Sequence, residues 1–186
     1  GQLFDAGGAQ VGPEFAVNTT TNNHQIYSNV TTLEGGGFVV TWQSQALDGS
    51  DFGIAGQLYD ASGMATGTEF VINTETSGSQ SNPSVAALEG GGFVVTWSSR
   101  DQDGSGFGVY GQRYDASGAQ VGTEFAINTT TAGQQFLPSV AALDGGGFVV
   151  TWQSLGQDGW GWGIYGQRFD ASGTAVDGEF RLNSIT

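Results

Sequence analysis

The chain has 186 residues and a mass of 19.2 kDa, and its 18 acidic against 4 basic residues give a formal net charge of -14. A surface this acidic repels nucleic-acid phosphates and anionic lipid headgroups, which excludes nucleic-acid binding and membrane-surface functions. Cysteine is absent, so disulfides and thiolate metal sites are excluded as well. Cations such as calcium and neutral ligands such as glycans are the partner classes that fit this composition.

The sequence repeats itself with a period of 55 residues. The motif GQ-x-[YF]-D-A begins at Gly1, Gly56, Gly111 and Gly166, and a second motif, EF-x-[VIL]-N, follows each copy in the same phase. A repeat this regular indicates one repeat domain over residues 1–186. Counted from Gly1, its units are 1–55, 56–110 and 111–165, with a partial unit at 166–186.

Four short strands are predicted in each repeat, in the same order. In the central copy they are Val85–Leu88, Phe93–Trp97, Val109–Asp115 and Glu124–Asn128. The glycines after Glu89 favour a tight hairpin between the first two strands, and DASG favours a type I turn after the third. No segment shows the i, i+3, i+4 apolar spacing of a helix over ten residues. The sequence therefore predicts an all-β fold.

Apolar residues occupy both faces of these strands, which indicates sheets packed between neighbouring sheets. Three and a half four-stranded antiparallel repeats of this kind resemble the blades of a β-propeller, with the half repeat (third and fourth strands) at residues 1–18. A β-trefoil or β-prism with threefold pseudo-symmetry is the alternative. Three blades are too few to close a propeller ring, and uncovered sheet faces are costly in water. We therefore expect self-association, in its simplest form a two-fold dimer.

The repeated acidic residues have structural explanations. The aspartates that open the DASG-type turns (Asp5, Asp60, Asp115 and Asp170) are expected to cap backbone N–H groups. The glutamates of the second motif (Glu14, Glu69, Glu124 and Glu179) are expected to pair with Arg113 or Arg168. A catalytic carboxylate pair occurs once, in an asymmetric pocket, and the only histidine, His24, lies in one of three equivalent loops. We therefore predict that the protein is not an enzyme.

The loop between the second and third strands holds the candidate metal ligands. It reads ALDGSDFG, DQDGSGFG and GQDGWGWG in the three repeats. Oxygen ligands alternate in its central copy as they do in calcium loops, so calcium is the candidate cofactor. The candidate ligands are Asp48, Asp101, Asp103 and Asp158. A full EF-hand pattern is absent and Asp101 has no acidic counterpart in the other copies, so a simple Asp-Gly turn is the alternative.

Aromatic residues in the same loop are the candidate ligand-binding groups. Exposed indole rings stack well on the C–H face of a sugar, and neighbouring polar groups bind its hydroxyls. The candidate set is Trp160, Trp162, Phe107, Phe52, Asp158 and Gln157. Packing of these rings against the adjacent unit is the alternative. The strand residues Trp42, Trp97 and Trp152 are instead predicted to lie in the core.

The phrase GGGFVVTWSSRDQDGSGFGVYGQRYDASGAQVGTEFAINT, Gly90 to Thr129, carries a family resemblance that extends over the whole chain. It is similar to tandem units of about this length in very large secreted bacterial surface proteins, which often also carry RTX-type calcium repeats or cadherin-like domains. The resemblance implies an extracellular or cell-surface location and a calcium-associated adhesin or matrix role. The RTX calcium signature GGxGxDxUx does not occur here, so that calcium site is not carried over.

These observations predict a non-enzymatic extracellular module that binds a glycan or another cell-surface ligand, with calcium as a candidate cofactor. The alternative is a structural spacer whose repeats set the reach of a long surface protein. A spacer needs only turn residues in its loops, whereas a lectin needs exposed aromatic rings beside polar groups. Glycan binding measured with and without EDTA separates the two.

Overall fold

The computed structural model describes residues 1–184, which form fourteen β-strands and no helix. The strands are β1 (Leu3–Phe4), β2 (Gln10–Val11), β3 (Gln25–Thr32), β4 (Phe38–Gln45), β5 (Phe52–Tyr59), β6 (Ala65–Val71), β7 (Gln80–Ala87), β8 (Phe93–Arg100), β9 (Phe107–Tyr114), β10 (Gln120–Ala126), β11 (Gln135–Ala142), β12 (Phe148–Leu155), β13 (Trp162–Phe169) and β14 (Ala175–Arg181). Nowhere in this range is there a helix with the length and apolar character that crossing a lipid bilayer requires.

The strands form three four-stranded antiparallel sheets in simple chain order, preceded by the two-stranded pair β1–β2. We call the sheets the first blade (β3–β6), the second blade (β7–β10) and the third blade (β11–β14), and we call residues 1–18 the N-terminal ribbon. The first strands of neighbouring blades, β3 with β7 and β7 with β11, contact each other and mark the axis of the molecule. The prediction of an all-β fold made of four-stranded, propeller-like blades is confirmed.

The blades and the sequence units differ in phase. Gly56, which starts the second unit, lies inside β5, so a unit counted from Gly1 divides a blade within its third strand. The fourth strand also lies earlier than predicted, because a bulge between Val121 and Phe125 lets it start at Gln120. Gly122 supplies the positive φ, 72°, at that bulge.

The hydrophobic core lies between blades rather than within a single blade. Ile54 and Ile72 of the first blade pack against Phe93 and Trp97 of the second, and all four side chains are fully buried. Equivalent residues form the core between the second and third blades: Val109, Ile127, Phe148 and Trp152. The prediction that the three strand tryptophans are core residues is confirmed, since each is at most 3% exposed.

A three-ring aromatic contact recurs at each blade boundary. Within the second blade, Phe93 and Tyr114 stack with their ring centroids 4.8 Å apart, and Phe70 of the first blade tilts against Tyr114 at 5.7 Å. The equivalent triads are Phe15, Phe38 and Tyr59 at the first boundary, and Phe125, Phe148 and Phe169 at the third. Offset and tilted ring pairs of this kind add to the stabilisation from burial.

The repeated glutamates join neighbouring blades through the backbone rather than through arginine. Glu69 accepts hydrogen bonds from the backbone N–H groups of Thr19 and Thr20, at 2.8 and 3.1 Å. Glu124 binds Thr74 in the same way, and Glu179 binds Thr129 and Thr130. Burial raises the pKa of the Glu179 carboxyl, but these hydrogen bonds lower it by more than burial raises it. The pKa therefore lies below its usual value.

Arginine contributes a separate link between blades, so the expected glutamate–arginine pairs are not formed. Arg113 of the second blade donates hydrogen bonds to the backbone carbonyls of Ala171 and Ser172, in a turn of the third blade. Within residues 1–184 the ion pairs join other residues, Arg100 with Asp101 and Arg181 with Asp158. Backbone groups are present at every boundary, which explains why the contact can repeat whatever the local side chains are.

The turn aspartates behave as predicted. One carboxylate oxygen of Asp115 accepts hydrogen bonds from the N–H groups of Ser117 and Ala119, at 2.8 and 3.0 Å. The hydrogen bond from the Ser117 hydroxyl has the largest effect on the pKa of the Asp115 carboxyl and lowers it. The hydrogen bonds from these N–H groups lower it further. Asp60 and Asp170 cap their turns in the same way.

Replacement of Trp97 by alanine should lower the free energy of unfolding by roughly 3–5 kcal/mol, because it leaves a large cavity between two blades. Denaturant unfolding followed by circular dichroism measures the change. Trp160→Ala is the matched control, since that indole is 81% exposed and its loss should leave stability nearly unchanged. Equal stability of the Trp97 variant and the native protein would contradict the core assignment.

Candidate functional site

The four candidate calcium ligands lie in three separate loops, one in each blade. Asp48 and Asp103 each accept a hydrogen bond from the N–H two residues ahead, at 3.1 and 3.0 Å, as Asp-Gly turns do. The second oxygen of Asp48 accepts a hydrogen bond from the Asn73 amide at 2.8 Å. Asp158 is paired with Arg181 at 3.2 Å. These three carboxylates therefore stabilise their own loops.

Asp101, the fourth candidate, is exposed and forms an ion pair with Arg100 at 3.4 Å. The structure does not bring it together with acids from the other blades. Across residues 1–184, no group of three or more His, Cys, Asp and Glu side chains is arranged so that it could hold a metal ion. Calcium binding by this loop stays a prediction.

The aromatic candidates differ in whether their rings pack against the next blade or are exposed. Phe107 packs against Phe136 of the next blade, with ring centroids 4.9 Å apart, and Trp162 is its counterpart in the third blade. Trp162 is 49% exposed, and within residues 1–184 no further blade covers it. In the second blade the side chain at this position therefore packs against the next blade. Phe52 occupies the same position in the first blade.

Trp160 is 81% exposed, and serine stands at its place in the other two loops. The blade contact therefore does not account for an aromatic ring there. Gln157, by contrast, is engaged within the protein: its amide donates to Thr130 and to Glu179, both at 2.9 Å. Of the sequence-predicted ligand-binding residues, Trp160 is the one that is both exposed and free of a packing role.

A cleft that sequence reasoning missed lies where the three innermost strands meet. It has a volume of about 370 Å³ and is lined by residues 27–29, 82–84 and 137–139, which occupy equivalent positions in β3, β7 and β11. We call it the axial cleft. The lining residues are Tyr27, Ser28, Asn29, Asn82, Pro83, Ser84, Leu137, Pro138 and Ser139.

The backbone of the axial cleft is held in an unusual conformation. Tyr27, Asn82 and Leu137 have φ values of 55°, 55° and 56°, in the left-handed region that non-glycine residues seldom adopt. Each of these residues forms the bulge of its innermost strand. Strain of this kind persists only where the surroundings enforce it, and it concentrates at functional sites.

Hydrogen bonds between blades hold two of these bulges in place, those at Asn82 and Leu137. The N–H of Asn82 donates to the Gln43 side chain at 3.4 Å, and the N–H of Leu137 donates to the Ser98 hydroxyl at 3.1 Å. The Asn29 amide donates to the carbonyl of Pro83 at 3.3 Å, which joins two adjacent innermost strands. The cleft is therefore built by neighbouring blades acting together and is fixed before any ligand arrives.

The chemistry of the axial cleft is neutral and polar. The strands β3, β7 and β11 contain no Asp, Glu, Lys or Arg, although the chain as a whole is strongly acidic. Tyr27 is 62% exposed, and Leu137 is 41% exposed beside it. Hydroxyl and amide groups next to an open aromatic ring can bind an uncharged ligand that has both polar and apolar faces.

A sequence signal for the cleft does exist. Glutamine precedes the bulge by two residues in every blade, at Gln25, Gln80 and Gln135, and valine follows it by three. The bulge position itself changes from Tyr to Asn to Leu. The position before it varies too, from Ile26 to Ser81 to Phe136, so folding does not fix the side chains between the constant Gln and Val.

A second, larger groove of about 890 Å³ borders the cleft. It lies between the N-terminal ribbon and the first blade, where a complete preceding blade would place its two inner strands. Phe15 and Val17 line one wall, Val30 and Val40 line the other, and Tyr27 lines both the groove and the cleft. The groove is thus the uncovered inner half of a blade boundary.

No protein-family profile matches the chain, and no curated protein matches it in sequence. Solved structures resemble it in fold. An endo-arabinase from Bacteroides thetaiotaomicron superposes with a TM-score of 0.61 at 17% identity, over 95% of this chain and 69% of that one. An α-L-arabinofuranosidase from Lactobacillus brevis gives 0.59 at 10%, over 91% and 59%, and an endo-1,4-β-xylanase from Bacteroides thetaiotaomicron gives 0.56 at 14%, over 94% and 66%.

These identities are low enough that the likeness shows a shared fold and not a shared activity. The chain spans 59% of the arabinofuranosidase and 66% of the xylanase. The likeness nevertheless corrects one prediction. The sequence-based conclusion that the protein is not an enzyme is wrong, because the solved structures that share its architecture carry the names of glycoside hydrolases. Repetition of the acids does not exclude catalysis, since loops can add an asymmetric site to a repeated scaffold.

Leu137→Val should lower the free energy of unfolding by roughly 1–2 kcal/mol, because a β-branched residue tolerates a positive φ poorly. Leu137→Asn should leave stability within roughly 0.5 kcal/mol of the native value, since asparagine accepts this conformation and occupies it at position 82. Thermal unfolding of the two variants measures the difference. If both substitutions had the same effect, the backbone at the cleft would not be strained in this way.

Proposed function

We propose that the protein binds a neutral carbohydrate in the axial cleft. The single observation that supports this most strongly is the combination of an exposed Tyr27 ring with hydroxyl and amide groups from three blades, in a cleft without charged residues. A sugar presents a C–H face and a rim of hydroxyls, and these two surfaces need an aromatic ring and neutral hydrogen-bonding groups, respectively.

The lining residues offer different groups to the sugar. Tyr27 offers the stacking surface and a phenol. Asn82 offers both an amide donor and a carbonyl acceptor, and the serine hydroxyls of Ser84 and Ser139 can donate or accept. Because contacts between blades fix the bulges at Asn82 and Leu137, a bound sugar would not need to order those two segments, which favours affinity.

The electrostatic setting supports an uncharged ligand. With 18 acids in the chain, an anionic ligand would be repelled over most of the surface, whereas a neutral sugar is not. The fold is shared with an endo-arabinase and a xylanase, so arabinan and xylan are the natural first probes. An extracellular location, which the repeat resemblance implies, is part of the proposal because such polysaccharides lie outside cells.

Binding is tested by affinity electrophoresis in gels that contain arabinan or xylan, and by titration calorimetry with their oligosaccharides. Tyr27→Ala and Asn82→Gly should each weaken binding by about tenfold or more, as expected for central contact residues. Glycine at position 82 keeps the positive φ and removes only the amide. Trp160→Ala should bind like the native protein, and release of reducing ends in the same samples reports hydrolysis.

The outcomes separate the alternatives. Loss of binding in Trp160→Ala with full binding in both cleft variants would place the ligand on the third-blade loop and contradict the axial site. Loss of binding on addition of EDTA would support the calcium prediction. A native protein that binds no carbohydrate in a wider glycan array would favour the structural spacer.

A further inference from the structure

The contact between consecutive blades has two parts that recur along the chain and a third, an arginine contact, that joins the second and third blades. A phenylalanine of one blade packs against an aromatic ring of the next, as Phe125 does against Phe169. A glutamate of the later blade binds backbone N–H groups that follow the earlier one, as Glu124 does at Thr74. Arg113 of the earlier blade binds turn carbonyls of the later one.

The third blade holds the earlier half of this contact with nothing bound to it. Ile164 is 38% exposed and Leu182 is 52% exposed, whereas their counterparts Ile54 and Ile72 are fully buried. Phe180 is the counterpart of Phe125, and Arg168 is the counterpart of Arg113. This outer face is therefore a complete blade-docking surface that lacks the next blade.

The N-terminal ribbon holds the outer part of the later half, because it contains the counterparts of the third and fourth strands of a blade and lacks the two inner strands. Phe4, the counterpart of Phe169, is 59% exposed, although Phe169 itself is 4% exposed. Glu14, the counterpart of Glu124, is exposed, and within residues 1–184 it has no hydrogen-bond partner. The turn carbonyls of Ala6 and Gly7 stand where Ala171 and Ser172 accept hydrogen bonds from Arg113.

We infer that a second copy of this chain docks head to tail, with the third blade of one copy against the N-terminal ribbon of the other. Phe180 packs on Phe4, Glu14 accepts a hydrogen bond from the N–H of Ser184, and Arg168 donates to the turn carbonyls of residues 6 and 7. Each contact is the translation by whole repeats of one that the chain already forms internally. The interface thus continues the established contact between blades, which identifies its occupant as another copy of the same repeat.

The number of blades favours a closed pair. Two chains, each with three blades and one ribbon, give a ring of eight positions, within the usual range of four to eight for propellers. In the single chain the ring stays open, since Ile164 and Leu182 on the outer face of the third blade are exposed. A head-to-tail interface forms a closed ring when the rotations add up to a full turn, and then it occurs twice in the dimer. The positive charge of Arg168 also reduces the repulsion between two acidic chains at the docking face.

Light scattering coupled to gel filtration tests the inference through the mass of the native protein, expected at twice the 19.2 kDa of one chain. Phe4→Asp disables only the ribbon, and Leu182→Asp disables only the third-blade face. Each variant alone should be a monomer at a concentration where the native protein is a dimer. Met64→Asp is the matched control, because Met64 is 68% exposed in the turn between β5 and β6 and should leave the dimer intact.

Mixing the two variants distinguishes head-to-tail docking from every face-to-face arrangement. The mixture retains one native ribbon and one native third-blade face, so it should form an open heterodimer through a single interface. A monomeric native protein at 100 times the concentrations used for the variants would overturn the inference. A dimer that survives in Phe4→Asp, or variants that do not associate when mixed, would overturn it as well.

Discussion

Trp97 and Phe93 have no contact with solvent because the first blade covers the sheet that carries them, and the same contact between neighbouring blades governs the rest of the structure. No blade has a core of its own, so each depends on the apolar face of the next. Aromatic triads and glutamate bonds to backbone N–H groups join the blades at each boundary. Between the second and third blades, arginine also binds turn carbonyls. The period of 55 residues is the period of this contact.

In such a scaffold, ligand-binding side chains can occupy the positions that the contact between blades does not constrain. At the axis, the bulges of three innermost strands meet, and the boundaries fix their backbones but not their side chains. Tyr27, Asn82 and Leu137 vary there, whereas the valines three residues further on do not. At the two ends of the chain the same contact is interrupted, which leaves Phe4 and Leu182 exposed. The proposed ligand site and the proposed self-docking site therefore both depend on the contact between blades.

The repeat made much of the fold predictable. Two motifs in fixed phase, glycine hairpins and strands apolar on both faces were sufficient to predict four-stranded blades, the half blade at the N-terminus and buried strand tryptophans. The bulges of the innermost strands were not predictable, because Tyr27, Asn82 and Leu137 adopt a positive φ where no glycine marks it. The set of ligand-binding residues stays a prediction. The packing of Phe107 on Phe136 of the next blade was not predictable, because the sequence does not show which rings a neighbouring blade covers. The prediction that the protein is not an enzyme was wrong, since the repeat describes the scaffold and not its loops.

Hydrogen exchange measured by mass spectrometry tests most directly whether contacts between blades, rather than contacts within them, provide the stability. Local opening should be rarest where both faces of a sheet are covered. The account predicts that β7 and β8 exchange more slowly than the equivalent strands β3 and β4, although hydrogen-bond pairing is the same in both sheets. Strand β3 is largely exposed, whereas β7 is largely buried. Equal protection of the first and second blades in the monomeric Phe4→Asp variant would contradict the account.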